Sequence, residues 1–137
     1  MRKTKQILLY VIVLFVIETI LQVIFYGFAI KYFDKYSGFE KLEEILLDSL
    51  YVVGTVKIVF FLPLYLIFYF VFINKNKLSA FKQSIYHSLY FFIIFFILSL
   101  VLPGNIAGRI SDTIILTLVA FITSFFLARL QILKNVK

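Results

Sequence analysis

The chain has 137 residues, 63% of them hydrophobic and 15% charged, with a mean hydropathy of +1.04 and a formal net charge of +7. A soluble domain of this size has no core large enough to hide so much apolar surface, so the composition excludes a water-soluble globule and makes lipid the expected solvent. With no cysteine and a single histidine, disulfides, thiolate chemistry and a histidine-based metal cluster are excluded too, and no cofactor is expected.

Four apolar blocks, 7–30, 48–73, 84–102 and 112–133, alternate with short polar stretches. Each is near the roughly 20 residues that a helix needs to cross about 30 Å of hydrocarbon. The expected fold is therefore all-α: a polytopic, four-transmembrane-helix bundle forming one domain over 1–137, with no room left for a folded soluble domain.

The positive charge taken alone would suit nucleic acid, but its distribution points elsewhere. Arg2, Lys3 and Lys5 precede the first block, Lys75, Lys77 and Lys82 separate the second from the third, and Arg129, Lys134 and Lys137 close the chain. None of these three segments contains an acid. The two remaining loops carry Lys31, Lys35, Lys41 and Arg109 together with Asp34, Glu40, Glu43, Glu44, Asp48 and Asp112, so nine bases lie on one side against four on the other. The positive-inside rule then predicts an N-in/C-in topology with the middle loop also cytoplasmic, and anionic lipid headgroups as the partner of the bases.

In the first span a basic start and Gly27-Phe28-Ala29 resemble a cleavable signal, but the apolar stretch is longer than the usual h-region of about 7–15 residues, and Glu18 and Gln22 interrupt it. An uncleaved span is expected. Glu18, Gln22, Tyr26 and Ala29 share one face by i, i+4 and i+3 spacing, and that face should look inward. Lys31 to Gly38 reads as a turn. Phe39 to Leu50 is amphipathic, with Phe39, Leu42, Ile45, Leu46 and Leu50 opposite an acidic face. It should form a short outer segment, at the interface or extending the second span.

The second span places Lys57, Phe61, Tyr65 and Tyr69 on one stripe, and Pro63 should kink it. In the third, Ser84, Ser88, Phe92, Phe95 and Ser99 define the least lipophilic face, with His87 expected among the headgroups near its start. Pro103-Gly104 should end that span, and Ser111 or Asp112 should cap the fourth. There, Thr113, Thr117, Ala120, Ser124 and Ala128 form a small-residue stripe of the kind through which helices pack in lipid. Tyr10, Tyr32, Tyr36, Tyr51 and Tyr86 are expected to form an aromatic belt in a chain without Trp, and Arg129 to reach the inner headgroups.

The chemistry reduces to Glu18 and Gln22 in the first span and Lys57 and Tyr65 in the second. A lone charge at mid-bilayer costs roughly 2.5–3.5 kcal/mol on insertion scales, so pairing or neutralisation is expected. The alternatives are an internal Glu18–Lys57 ion pair, a protonated Glu18 bonded to a backbone or Tyr oxygen with Lys57 snorkelling outward, a coupling carboxylate in a transport path, and pairing with a partner subunit. No nucleophile–base pair, glycine-rich phosphate loop or metal spacing is present, so an enzyme is not expected.

Ile17-Glu18-Thr19 ahead of Tyr26 resembles the first helix of small multidrug-resistance transporters, which carries an acid at mid-span. That resemblance implies a coupling role for Glu18. It covers one helix and one functional position. The outer loop is longer, the aromatic and glycine patterns of the later helices differ, and the basic asymmetry does not suit a dual-topology dimer, so the chain is not assigned to that family.

The functional expectation is a small non-enzymatic integral membrane protein, an accessory or assembly subunit or an immunity-type binder of another membrane component, offering the acidic outer segment and the stripe of the fourth span for contact. The alternative is a small ion- or proton-coupled transporter or oligomeric pore using Glu18. A bacterial cytoplasmic (inner) membrane is the expected location, with a membrane-protein partner or a homo-oligomer and no nucleic acid.

Overall fold

In a computed structural model the described residues are 2–33, 42–76, 78–101 and 106–130. They are helical apart from short turns, and no strand occurs among them. Helix α1 is Arg2–Phe33. Helix α2 covers 42–73 without a break, α-helical over Leu42–Val56 and Leu62–Ile67 and π-helical over Lys57–Phe61 and Phe68–Ile73. Helix α3 is Ala80–Val101 and α4 is Ile106–Arg129. Four helices are long and apolar enough to cross a membrane, in the segments Arg2–Gly27, Ser49–Ile73, Ala80–Val101 and Asp112–Arg129.

The helices form a ring of neighbours. α1 packs against α2 and α4, and the backbones of α3 and α4 approach over most of their length. Small side chains permit that approach: Ser84 and Ser88 on α3, Ala120 and Ser124 on α4, are all buried. α2 and α3 meet instead through stacked rings, Phe61 on Phe91 at 4.8 Å between centroids and Phe68 on Tyr90 at 4.6 Å, which hold their backbones apart. The Tyr90 hydroxyl also donates to the Leu64 carbonyl at 3.0 Å. Apolar residues such as Leu9, Ile20, Ile58, Ile97 and Leu118 cover the exterior.

The inward stripe of α2 explains its π-helical turns. Ser49, Val53, Lys57, Phe61, Tyr65, Tyr69 and Ile73 are all buried, at strict four-residue intervals. At 3.6 residues per turn each such step drifts by about 40°, so six steps on a plain α-helix would carry the stripe about 240° round the cylinder. The wider π turns take up the excess. Leu62 N–H reaches back to the Lys57 carbonyl, and Asn74 N–H to the Tyr69 carbonyl at 3.0 Å. Pro63 falls in the first turn of the α segment that follows the first π turn, where its missing donor is tolerated and the helix runs on.

Several boundaries differ from those read in the sequence. α3 starts at Ala80, not Ser84, because Ser79 occupies the N-cap: its carbonyl accepts from Gln83 N–H at 2.9 Å and its hydroxyl faces Lys82 N–H at 3.4 Å. α4 starts at Ile106, so Ser111 and Asp112 lie inside the helix and do not cap it; with no proline after Pro103, helix propagates back through 106–110. Lys31 to Phe33 belong to α1, and the rest of the predicted turn, like Pro103-Gly104, lies outside the described residues. The described part of the amphipathic segment, 42–50, extends the second span as one helix, with Glu43 and Glu44 exposed.

Candidate functional site

Glu18 is fully buried at the centre of the bundle, and both of its carboxylate oxygens are engaged. Oε1 is in direct contact with Lys57 Nζ and accepts from the Tyr65 hydroxyl at 2.5 Å; Oε2 lies 2.7 Å from His87 Nε2. Lys57 Nζ also donates to Gln22 Oε1 at 2.9 Å, and Gln22 Nε2 donates to the Leu116 carbonyl at 3.1 Å. On the other side of His87, Nδ1 lies 3.2 Å from the Tyr69 hydroxyl. The Tyr10 and Tyr69 rings are neighbours with centroids 5.5 Å apart, and Gln83 Nε2 donates to the Tyr10 hydroxyl at 3.0 Å. One network thus touches all four helices, and its bonds join α1 to α3 across the diagonal of the bundle.

Helix geometry delivers each group. Glu18 and Gln22 stand one turn apart on α1, as do Lys57, Phe61, Tyr65 and Tyr69 on α2 and Gln83, His87 and Phe91 on α3. The ammonium of Lys57 sits among aromatic faces, 5.3 Å from the Phe15 centroid, 5.8 Å from Phe61, 5.3 Å from Tyr65 and 5.6 Å from Phe91. Such cation–π contacts strengthen when water is excluded, to about 2 kcal/mol or more. The ion pair and a bond donated by Tyr65 share one oxygen of Glu18, and Lys57 is buried beside them instead of snorkelling outward.

Both ring nitrogens of His87 are engaged: a ring carrying its proton on Nε2 would donate to Glu18 and leave Nδ1 to accept from the Tyr69 hydroxyl.

The four residues singled out in the sequence, Glu18, Gln22, Lys57 and Tyr65, meet at this centre. His87 does not lie among exposed interfacial groups; it is fully buried, because the earlier start of α3 sets it two turns inside the helix. Tyr10, expected in a belt, is buried beside Gln83, whereas Tyr51 and Tyr86 are exposed; the side chains of Tyr32 and Tyr36 lie outside the described residues. On α3 the inward face is Gln83, Ser84, His87, Ser88 and Phe91, and Phe92 turns outward, since the face follows the Gln83–His87–Phe91 row and not the serines alone. The sequence signal that identifies this row is the i, i+4 spacing of Gln83 and His87, the same signal that identifies Glu18 and Gln22.

The α4 stripe is turned into the bundle. Thr113, Ala120 and Ser124 are buried and Thr117 and Ala128 half-buried, which removes it as a surface for a partner. Leu116, Val119, Thr123 and Leu127 share that inward face. Arg129 is exposed, its guanidinium 4.8 Å from the Phe125 centroid. The Arg109 side chain is outside the described residues. Among the described residues no group of three His, Cys, Asp or Glu side chains is arranged to hold a metal ion.

No protein-family model, no curated protein and no solved structure matches this chain.

Proposed function

We propose that the chain is a small, non-enzymatic, multi-pass membrane protein that acts by contact with another membrane component, as an accessory or assembly subunit or an immunity-type binder. The observation that carries this reading is the closure of the buried network: both oxygens of Glu18 and the ammonium of Lys57 are taken up by side chains of the same chain. Charges spent on holding helices together are not displayed to a partner, and the exterior is left to act through shape, apolar contact and its charged ends. The acidic start of α2, with Glu43 and Glu44 exposed, is the polar contact surface. The basic distribution favours both chain ends and the middle loop on the cytoplasmic side of a bacterial inner membrane, facing anionic headgroups.

Gentle detergent extraction from the native membrane, followed by identification of what co-purifies, tests the proposal. A stoichiometric foreign membrane protein supports it, and a lone homo-oligomer sinks it. A second reading, a proton- or ion-coupled transporter or oligomeric pore, is favoured by one feature, the contact of the Glu18 carboxylate with the His87 imidazole inside the bundle. It predicts flux in vesicles that Glu18→Gln abolishes with helical content intact.

A further inference from the structure

Three features of the buried network exceed what a helix clamp requires. A clamp on Glu18 needs only a donor, and an amide would serve. His87 instead presents its two ring nitrogens to opposite neighbours, a carboxylate at 2.7 Å and a phenol at 3.2 Å. That is the arrangement in which an imidazole passes a proton through itself. Second, the polar groups beyond His87 are stacked toward one end of the bundle: Tyr69 stands one turn from the end of α2, Gln83 lies in the first turn of α3, and Tyr10 is in the N-terminal third of α1. On the opposite side of Glu18 the bonds run through Lys57 and Gln22 to the Leu116 carbonyl, an acceptor with no proton to pass on. Third, Lys57 has holders other than Glu18, namely the Gln22 oxygen at 2.9 Å and the four surrounding rings.

We infer that Glu18 is a proton-binding site loaded from the end of the bundle that carries the N-terminus, with Tyr10, Tyr69 and His87 as the relay. The proton enters the relay at the buried Tyr10 hydroxyl, which gives its own proton to Tyr69, the side chain it is hydrogen-bonded to. Tyr69 gives its proton to His87 Nδ1, and His87 releases the proton on Nε2 to Glu18 Oε2. Each hydroxyl gains one proton and loses one, and the His87 ring gains one on Nδ1 and loses one from Nε2, so the net change is Glu18 carboxylate to carboxylic acid with His87 left in the Nδ1-H tautomer, which the return of the proton along the same route resets. The ion pair between α1 and α2 is then loosened while Lys57 stays charged within its ring of aromatic faces.

The groups facing His87 are Glu18 and, through it, Lys57, together with Tyr65 and Tyr69 from α2. The charged residues of α4, Arg109, Asp112 and Arg129, sit toward its two ends. A proton-loaded centre of this kind fits a partner subunit and a transporter equally, so its test is separate from extraction and flux.

Because His87 is the only histidine, nitrogen-15 labelling of histidine gives an unambiguous signal. The protein is reconstituted in vesicles of mixed zwitterionic and anionic lipid, and exchange of the His87 ring proton with water is followed by bilayer NMR. The wild type should show the proton on Nε2 and rapid exchange. Tyr69→Phe and Tyr10→Phe keep the rings and remove the hydroxyls, and should slow exchange on the order of a hundredfold, within the range that positioned proton-transfer groups supply. Tyr90→Phe, which removes a hydroxyl bonded to the Leu64 carbonyl and outside the relay, should leave exchange unchanged. Exchange unaltered or faster in Tyr69→Phe, or slowed as much in Tyr90→Phe, overturns the relay. If Tyr69→Phe loses helical content, Tyr10→Phe decides on the same criteria.

Discussion

At the residue scale, a carboxylate with no exposure to solvent is stable only if its neighbours replace water. Here an ammonium, a phenol and an imidazole do so, and the ammonium is in turn wrapped by four rings. The pair is therefore more costly to break than to replace. Lys57→Met alone, which leaves Glu18 without its counter-charge, is expected to destabilise the bundle by about 3–5 kcal/mol, whereas Glu18→Leu with Lys57→Met together should cost less than Lys57→Met alone. A denaturant titration in mixed micelles of both singles and the double reads the coupling; strictly additive losses would show that the two side chains do not act as a pair. Glu18, Gln22, Lys57 and Tyr65 were legible because charged and amide groups stand out against an apolar run. Phe15 and Phe91 were not, since one phenylalanine among 18 gives no sign of which ring will face an ammonium.

At the element scale, α2 is the unusual member, a helix whose buried face repeats every four residues and whose backbone is widened at Lys57–Phe61 and Phe68–Ile73 to keep that face straight. A π turn holds one residue more than the α turn it replaces, so one residue can be removed there without rotating the rest of the helix. Deleting the exposed Val59 should turn the first π turn into plain α-helix and keep Lys57 and Tyr65 on one side. Deleting Ile17 from the uninterrupted α1 should rotate Glu18 by about 100° relative to Leu14 and Tyr10. The expected result is a folded ΔVal59 protein and an unstable ΔIle17 protein, compared by thermal unfolding; equal damage from both would remove the proposed role of the π turn. The four-residue stripe was plain in the sequence. Its consequence was not, because a stripe that drifts and a stripe straightened by π turns are written with the same letters.

At the scale of the whole molecule, the four helices share one hydrogen-bonded network, and the bases gather toward the ends at which that network begins. The proposed orientation has a direct check, since the chain lacks cysteine and single-cysteine variants have no background. Lys3→Cys and Lys75→Cys should resist a membrane-impermeant maleimide added to intact cells, and Glu43→Cys should react. The opposite pattern would reverse the orientation, and equal labelling of all three would rule out a single one. With that orientation, the phenol and imidazole relay opens toward the cytoplasmic side and the acidic start of α2 faces outward.

The amino-acid order alone determined the all-helical class of the molecule: apolar blocks of bilayer length, punctuated by short polar turns, make helices because a helix satisfies every backbone group within its own segment. It also determined which residues of α1 and α2 are too polar to face outward, since one helical period places Glu18 with Gln22 and Lys57 with Tyr65. Only the tertiary structure decided which groups answer them. His87 read as interfacial and Tyr10 as part of a belt because distance from a helix end was counted without knowing where each helix begins: Ser79 set the start of α3 earlier, and α1 begins at Arg2. The stripe of α4 read as a contact surface because small residues advertise packing without naming the partner, and the partners are the neighbouring helices of the same chain. Periodicity along one helix specifies a face; what that face meets depends on the rotation of the other three, which no single segment encodes.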